Sequence, residues 1–363
     1  MVTISLCMIV KNEEDVLERC LSSVSQLADE IIIADTGSTD RTKEIAAKFT
    51  DQIFDFPWIN DFSAARNFVF EKATKDFILW LDADDIIMPE DRVKFKELKE
   101  ELTEDTDIVM MRYNTAFDEQ GRVIFSYFRE RLSKKSRNFK WKEPVHEYLE
   151  FGGVILHSEA AITHAKMKKT TSARNVEIYE SILERGEELS PRGMYYYARE
   201  LKDHERFDEA IKMFSQFLDS ELGWVEDNIS ACIELAKCYQ LTKQPEKALE
   251  SMMRSFRYDT PRGEACCQIG YYFKEQNKFH QAIFWFELVL KLKHPQNSWG
   301  FHQEDFWGYI PSIECAVCYD RLGDMEKAEY YNELAGHYKP EDLAVLYNKK
   351  YFEEKRKEEK RRS

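Results

Sequence analysis

The run Phe77-Ile-Leu-Trp-Leu-Asp82-Ala-Asp84-Asp85 constrains this chain more than any other, because an apolar stretch of strand length stops at three carboxylates within four residues. Carboxylates resist burial unless paired, hydrogen-bonded or metal-bound. At the carboxyl end of a strand they belong in a cleft, where α/β sheets gather their ligands. Oxygen donors of this kind suit Mg²⁺ or Mn²⁺, hard cations that commonly bridge to phosphates. The simplest reading is an enzyme that handles a nucleoside diphosphate through a divalent metal.

Strand and helix signals alternate around that run. Residues 3–10 read as an apolar strand, and residues 12–27 carry helical spacing through Val16, Leu17, Cys20, Leu21 and Val24. Further strands are expected at 30–34, 52–56 and 76–81, with helices over 41–49 and from Ser63. Two more strands are expected at 108–113 and 123–128, separated by a turn at Asp118-Glu-Gln-Gly121. Such alternation builds a mostly parallel sheet flanked by helices.

From about residue 170 the pattern is helical throughout. Small residues recur at Ala210, Ala248, Ala282 and Ala328, each preceded twelve positions earlier by another, at Ala198, Ala236, Gly270 and Ala316. The interval from 248 to 282 is 34 residues; the neighbouring ones are longer, and the longest insertion holds Trp299, Phe301, Phe306 and Trp307. This pattern resembles the tetratricopeptide repeat, whose stacked helix pairs present a concave face to peptides or proteins. The expected organisation is an α/β domain over 1–170, an all-α repeat domain over 171–345 and a charged tail over 346–363, read as a solvated helix end or a disordered segment.

Composition narrows the function classes. A net charge of −15 argues against nucleic acid as a partner. No apolar stretch reaches the roughly 20 residues of a membrane helix, and the start has no basic leader segment. A soluble, cytoplasmic protein is expected. The eight cysteines include one C-x-x-C pair, Cys315 and Cys318, inside an apolar helical pattern. Buried free thiols are expected there rather than a metal site.

The segments Met8-Ile-Val-Lys-Asn-Glu-Glu14, Ile33-Ala-Asp35-Thr-Gly-Ser-Thr-Asp40, Ala65-Arg66-Asn67 and Leu81-Asp-Ala-Asp-Asp85 resemble successive motifs of family 2 inverting glycosyltransferases, and Lys140-Trp-Lys-Glu-Pro-Val-His146-Glu147-Tyr148 extends the match. The resemblance covers about residues 1–170. It includes bacterial core-sugar transferases and bacteriocin peptide glycosyltransferases. It implies the GT-A fold, a Rossmann-like mixed sheet with flanking helices. It also implies a UDP-sugar donor, with UDP-glucose or UDP-N-acetylglucosamine first, and Mn²⁺ or Mg²⁺ as cofactor.

The resemblance assigns roles residue by residue. Asp35 would bind uracil or ribose, with Val10, Asn12 and Glu13 flanking the base; Glu13 reads equally as an acid at a helix start. Arg66 would reach the nucleotide or diphosphate through its planar donor fork, and Asn67 would brace its loop. Asp84 would hold the metal, and Asp82 the ribose or, through water, the metal. Asp85 would orient them or support metal or diphosphate. Glu147 is the expected base, with Asp118 and Glu143 as alternatives. His146 would touch metal or diphosphate, or simply brace its loop. His164 would complete the metal site, with His157 competing; Ser158-Glu159 reads as a turn. Lys166, Lys168 and Lys169 would add positive potential. The expected activity is transfer of a hexose to a peptide or protein Ser, Thr or Cys side chain, with the repeats recruiting the acceptor or forming a homodimer. The alternatives are a saccharide or lipid-linked envelope acceptor, or a repeat scaffold with an inactive transferase fold.

Overall fold

A computed structural model describes residues 2–118, 120–166, 173–293 and 304–362, with side chains to residue 357. The chain divides into two compact units, Met1–Ser181 and Ile182–Ser363. The expected boundary at 170/171 lies outside the described residues, as do Lys168, Lys169, Trp299 and Phe301.

The first unit runs β1 (Ile4–Val10), α1 (Leu17–Val24), β2 (Glu30–Asp35), α2 (Thr42–Ala46), β3 (Ile53–Asp55), α3 (Phe62–Lys72), β4 (Phe77–Trp80), β5 (Asp85–Ile86), α4 (Pro89–Glu101), β6 (Ile108–Phe117), β7 (Val123–Lys134), β8 (Lys140–Lys142), β9 (Tyr148–Glu150), β10 (Ile155–His164) and α5 (Arg174–Glu184), the last continuing past Ser181. One sheet has the order β3-β2-β1-β4-β7-β6-β10-β5, and β8 pairs with β9 in a second. β3, β2, β1 and β4 are parallel, whereas β7 is antiparallel to both its neighbours, so the sheet is mixed.

β1 is apolar at nearly every position because both its faces are covered. Ile4, Leu6, Met8 and Val10 point into one core with Leu17, Leu21 and Phe95. Cys7 points into the other, with Val69, Phe70, Trp80 and Trp141. Strand alternation thus feeds two cores from one segment.

The sequence reading differs from the structure at several places. α1 begins at Leu17, not residue 12. Asn12 takes a left-handed φ of 56°, and the backbone N–H groups of Asn12, Glu13 and Glu14 donate to Ser38, Thr42 and Asp40 side chains instead of entering a helix. β7 extends to Lys134, six residues past its expected end at 128. Helix α4 and the β8–β9 pair had no counterpart in the reading. Ser158-Glu159 is not a turn before a strand but part of β10, at an irregularity between Ser158 and Ala161.

The second unit pairs α6 (Pro191–Asp203) with α7 (Phe207–Ser220), α8 (Val225–Leu241) with α9 (Pro245–Arg254), α10 (Gly263–Glu275) with α11 (Phe279–Val289), and α12 (Tyr309–Arg321) with α13 (Met325–Tyr338). The recurring alanines are buried, and a Cβ on Gly270 would lie 2.6 Å from the Phe286 ring. Small residues are there because helices cross closely. The expected tail from 346 is the body of a further helix, α14 (Leu343–Arg362), with Val345 and Phe352 buried. Of the aromatic insertion, residues 304–307 form a short helical turn in which Phe306 packs on the α10–α12 core. Cys315 and Cys318 are buried free thiols. Among the described residues, no helix is long and apolar enough to cross a membrane.

Candidate active site

At the end of β4 the chain leaves the sheet through Leu81 and turns back as β5, which pairs antiparallel with β10 and sets Asp85 opposite His164. The Asp82 backbone N–H donates to Asp85 Oδ2 (3.1 Å), closing the turn. Asp85 is fully buried and also accepts from Arg131 Nη1 (2.9 Å) and Tyr113 Oη (2.8 Å). Asp84 stays partly exposed, with His164 Nδ1 at 3.5 Å. Ligand atoms of Asp84, Asp85 and His164 lie within 4.8 Å of one another, the one such His/Cys/Asp/Glu grouping among the described residues.

The electrostatics follow from crowding. Burial and the neighbouring Asp82 and Asp85 raise the Asp84 carboxyl, against His164, which lowers it. The nearby Asp85 carboxylate raises the His164 imidazole, and the charge of Asp84 adds to this against burial. Burial alone would raise Asp82; the charges of Arg66 and Arg131 outweigh it and hold the carboxyl at about 2.

Arg66, in the second turn of α3, binds two carboxylates of the protein: Nη2 donates to Asp82 Oδ1 (2.8 Å) and Nε to Glu147 Oε1 (2.7 Å). Its guanidinium lies 4.9 Å from both the Trp80 and Trp141 rings, which meet edge to face. Flat aromatic surfaces and a planar cation suit one another electrostatically. Asn67 braces β8, donating to the Trp141 carbonyl and accepting from its N–H. The resemblance expected Arg66 on the nucleotide or diphosphate; in the structure two of its donors join Asp82 to Glu147.

Asp35 ends β2 buried, its Oδ2 accepting from the Gly37 and Ser38 N–H groups. Its Oδ1 is buried without a partner. Gly37 holds φ 100°, a conformation that suits glycine. Asn12 Oδ1 accepts from the Thr39 N–H (2.8 Å) and so braces this loop, while the Val10 carbonyl accepts from Thr36. Glu13 senses the acidic cluster: burial first, then Asp84, Asp82 and Asp40, push its carboxyl to about 7.

The loop before β9 carries Glu143 at φ 72° and His146 at φ 52°, both left-handed, and is tied to α3 by Phe62 N–H donating to the Pro144 carbonyl. Non-glycine residues in that region are uncommon and cluster at functional loops. Asp118 closes the β6–β7 turn, accepting from the Gln120 and Arg122 N–H groups and pairing with the Arg122 side chain. His157 packs edge-on against Phe128. Neither belongs to the Asp84–Asp85–His164 grouping.

Sequence reasoning missed Trp80, Tyr113, Arg129 and Arg131. Arg131 is wholly buried, its guanidinium 3.9 Å from the Trp80 ring and 4.3 Å from the Tyr113 ring. The Arg129 guanidinium lies 5.0 Å from the Trp80 ring. The available signal was the triplet Arg129-Glu-Arg131 following an apolar strand.

The residues present fit a hard divalent cation. Asp84 and His164 are each about a quarter exposed and so reachable, and carboxylate with imidazole is a donor set that Mn²⁺ accepts.

Residues 5–158 match the family Glycosyl transferase family 2, and residues 263–293 match a Tetratricopeptide repeat family. A TPR repeat-containing protein of Synechococcus elongatus is 39% identical over 155 residues, which are 41% of this chain and 36% of that protein. The SPbeta prophage-derived glycosyltransferase SunS of Bacillus subtilis is 29% identical over 232 residues, 60% of this chain and 54% of that protein. The putative glycosyltransferase EpsH of Bacillus subtilis is 28% identical over 160 residues, 39% of this chain and 46% of that protein. The chain thus spans about a third to a half of the length of these curated relatives.

Proposed function

From its family 2 glycosyltransferase domain, followed by tetratricopeptide-type repeats, we propose that this chain is a metal-dependent inverting enzyme that moves a hexose from a UDP-sugar to a Ser, Thr or Cys side chain of a peptide or protein. The observation that carries the reading is the Asp84–Asp85–His164 grouping at the end of β4, beside an Asp82 that Arg66 links to Glu147.

Asp84 and His164 would hold Mn²⁺ or Mg²⁺, with Asp85 supporting them. A bound cation supplies positive charge against the charge that develops on the leaving diphosphate. Asp35 Oδ1, buried and without a partner, is suited to accept from a uracil N–H or a ribose hydroxyl. Glu13 and Val10 flank the same loop. Glu147 takes the proton of the acceptor as its oxygen or sulfur attacks the anomeric carbon from the face opposite the diphosphate. Arg66 keeps that base aligned with Asp82, so donor and acceptor chemistry share one rigid element. The repeats recruit the acceptor or pair two copies of the chain, and the enzyme works in the cytoplasm.

The test is UDP release from a panel of UDP-sugars, UDP-glucose and UDP-N-acetylglucosamine first, with Mn²⁺ or Mg²⁺ and with EDTA. Slow metal-dependent hydrolysis of one donor, abolished in Asp84→Ala, is the expected result. Absence of both UDP-sugar binding by calorimetry and UDP release would sink the reading in favour of another donor nucleotide or a non-catalytic scaffold. Transfer to saccharide acceptors but to no peptide would overturn the acceptor class alone.

A further inference from the structure

Two protein donors hold one oxygen of Asp85 and a third holds the other: Arg131 Nη1 and the Asp82 N–H reach Oδ2, and Tyr113 Oη reaches Oδ1. That carboxylate is fully buried, whereas Asp84 is not. Tyr113 Oη also lies 2.9 Å from His164 Nδ1, closer than Asp84 at 3.5 Å or Asp85 at 3.6 Å. A phenol has one proton to donate. Here it goes to Asp85, which also accepts from Arg131, so the proton in the Tyr113–His164 contact must come from the imidazole.

We propose that Tyr113 is a positioning residue: its hydroxyl accepts from His164 Nδ1–H while donating to Asp85, which fixes the tautomer that leaves Nε2 with a lone pair for a divalent cation. Asp85 then anchors the turn through Arg131 and Tyr113, which would leave Asp84 and His164 to hold the cation. The proposal rests on the metal reading above. Tyr113 is itself held by ring packing, edge to face with Tyr127 (5.6 Å) and beneath the Arg131 guanidinium. Two Arg131 nitrogens, Nε and Nη2, are buried without partners. Its attraction to the Trp80 and Tyr113 faces offsets part of that cost, and the network stays rigid because each member orients the next. A ligating histidine whose second nitrogen is hydrogen-bonded within the protein is oriented and made more basic by that bond, and losing the partner weakens metal affinity about 10–100-fold.

The experiment uses the full chain, wild type and Tyr113→Phe, with Mn²⁺ alone as the probe. Nitrogen-15 histidine spectra without metal, at alkaline pH where the imidazole is neutral, read the His164 tautomer. Calorimetry reads Mn²⁺ affinity, and thermal unfolding checks that the variant folds. The expected result is a single Nδ1–H tautomer in wild type, a mixture in Tyr113→Phe, and Mn²⁺ binding weakened at least about tenfold. An Nε2–H tautomer in wild type, or a variant with unchanged tautomer and affinity, overturns the positioning role. Wild-type protein that shows Nδ1–H but binds no Mn²⁺ overturns the metal reading instead. The wild-type spectrum alone can refute the proposal should the variant fail to fold.

Discussion

Arg66 Nε donates to Glu147 Oε1 at 2.7 Å, joining the start of α3 to a loop 81 residues later. The same guanidinium reaches Asp82, so one side chain aligns the residue proposed as base with the residue beside the donor. Three motifs far apart in the chain therefore stand or fall together.

Arg66→Lys is expected to lose most transfer activity even though charge is kept, because a lysine ammonium is a point charge that does not span two carboxylates and two indole faces. Arg66→Ala leaves Glu147 and Asp82 without their partner. Breaking a buried pair costs roughly 3–5 kcal/mol; the lower end applies, since the Asp82 side chain is 40% exposed. Urea unfolding of both variants beside their UDP release checks this, and an active lysine variant would refute the bridging role.

Asp84→Asn should behave differently. The folded carboxyl is raised by burial and by Asp82 and Asp85, so its contribution to stability is present below the unfolded value and is lost as pH rises through the folded one. At neutral pH the metal-free variant should melt at or above the wild-type temperature while being inactive. With Mn²⁺ at about a hundred times its Kd, wild type gains about 2.7 kcal/mol and the variant gains little. Equal stabilisation of both by Mn²⁺ would remove Asp84 from the cation site.

Glu13 supplies a pH signature. Its carboxyl is raised from 4.5 to about 7 by burial and the facing aspartates, so the associated stability is complete below about 4.5 and lost as pH rises through about 7. Glu13→Gln should flatten the melting-temperature profile across that window. Added Mn²⁺ should shift the wild-type midpoint downward, since a bound cation favours the ionised carboxylate. A profile unchanged by the substitution would mean that Glu13 does not face the cluster.

In the repeats, Gly270→Ala should destabilise although alanine is the better helix former by about 1 kcal/mol. The new Cβ would lie 2.6 Å from the Phe286 ring, itself fully buried, and overpacking of this kind costs about 1–3 kcal/mol. Pairing the substitution with Phe286→Leu should recover part of the loss, as a double-mutant cycle in urea would read.

Asp82, Asp84 and Asp85 were legible because they end an apolar strand abruptly, and Asp35, Arg66 and Glu147 because their segments resemble successive motifs of family 2 glycosyltransferases. His164 was named through the same resemblance, with His157 competing. Arg131 and Tyr113 were not. The strand reading stopped at 128, so Arg129-Glu-Arg131 fell outside any expected element, whereas β7 carries Arg131 into the sheet beside β4. The α1 start was misread for a related reason. Asn12, Glu13 and Glu14 fit a helix locally, but their N–H groups find side-chain partners on the Asp35 loop.

Periodicity by itself determined the strand-and-helix first half, the helix pairs with their small crossing residues, and the carboxylate-ended strand, since these depend on spacing along one segment. Only the tertiary structure decided which oxygens of Asp85 are already occupied, which donor faces His164 and that Arg66 bridges two carboxylates. Those relations depend on register between strands and loops tens of residues apart, as when β5 pairs with β10 and brings Asp85 opposite His164. Local pattern carries no record of such register, because it is set by the joint packing of both faces of the sheet.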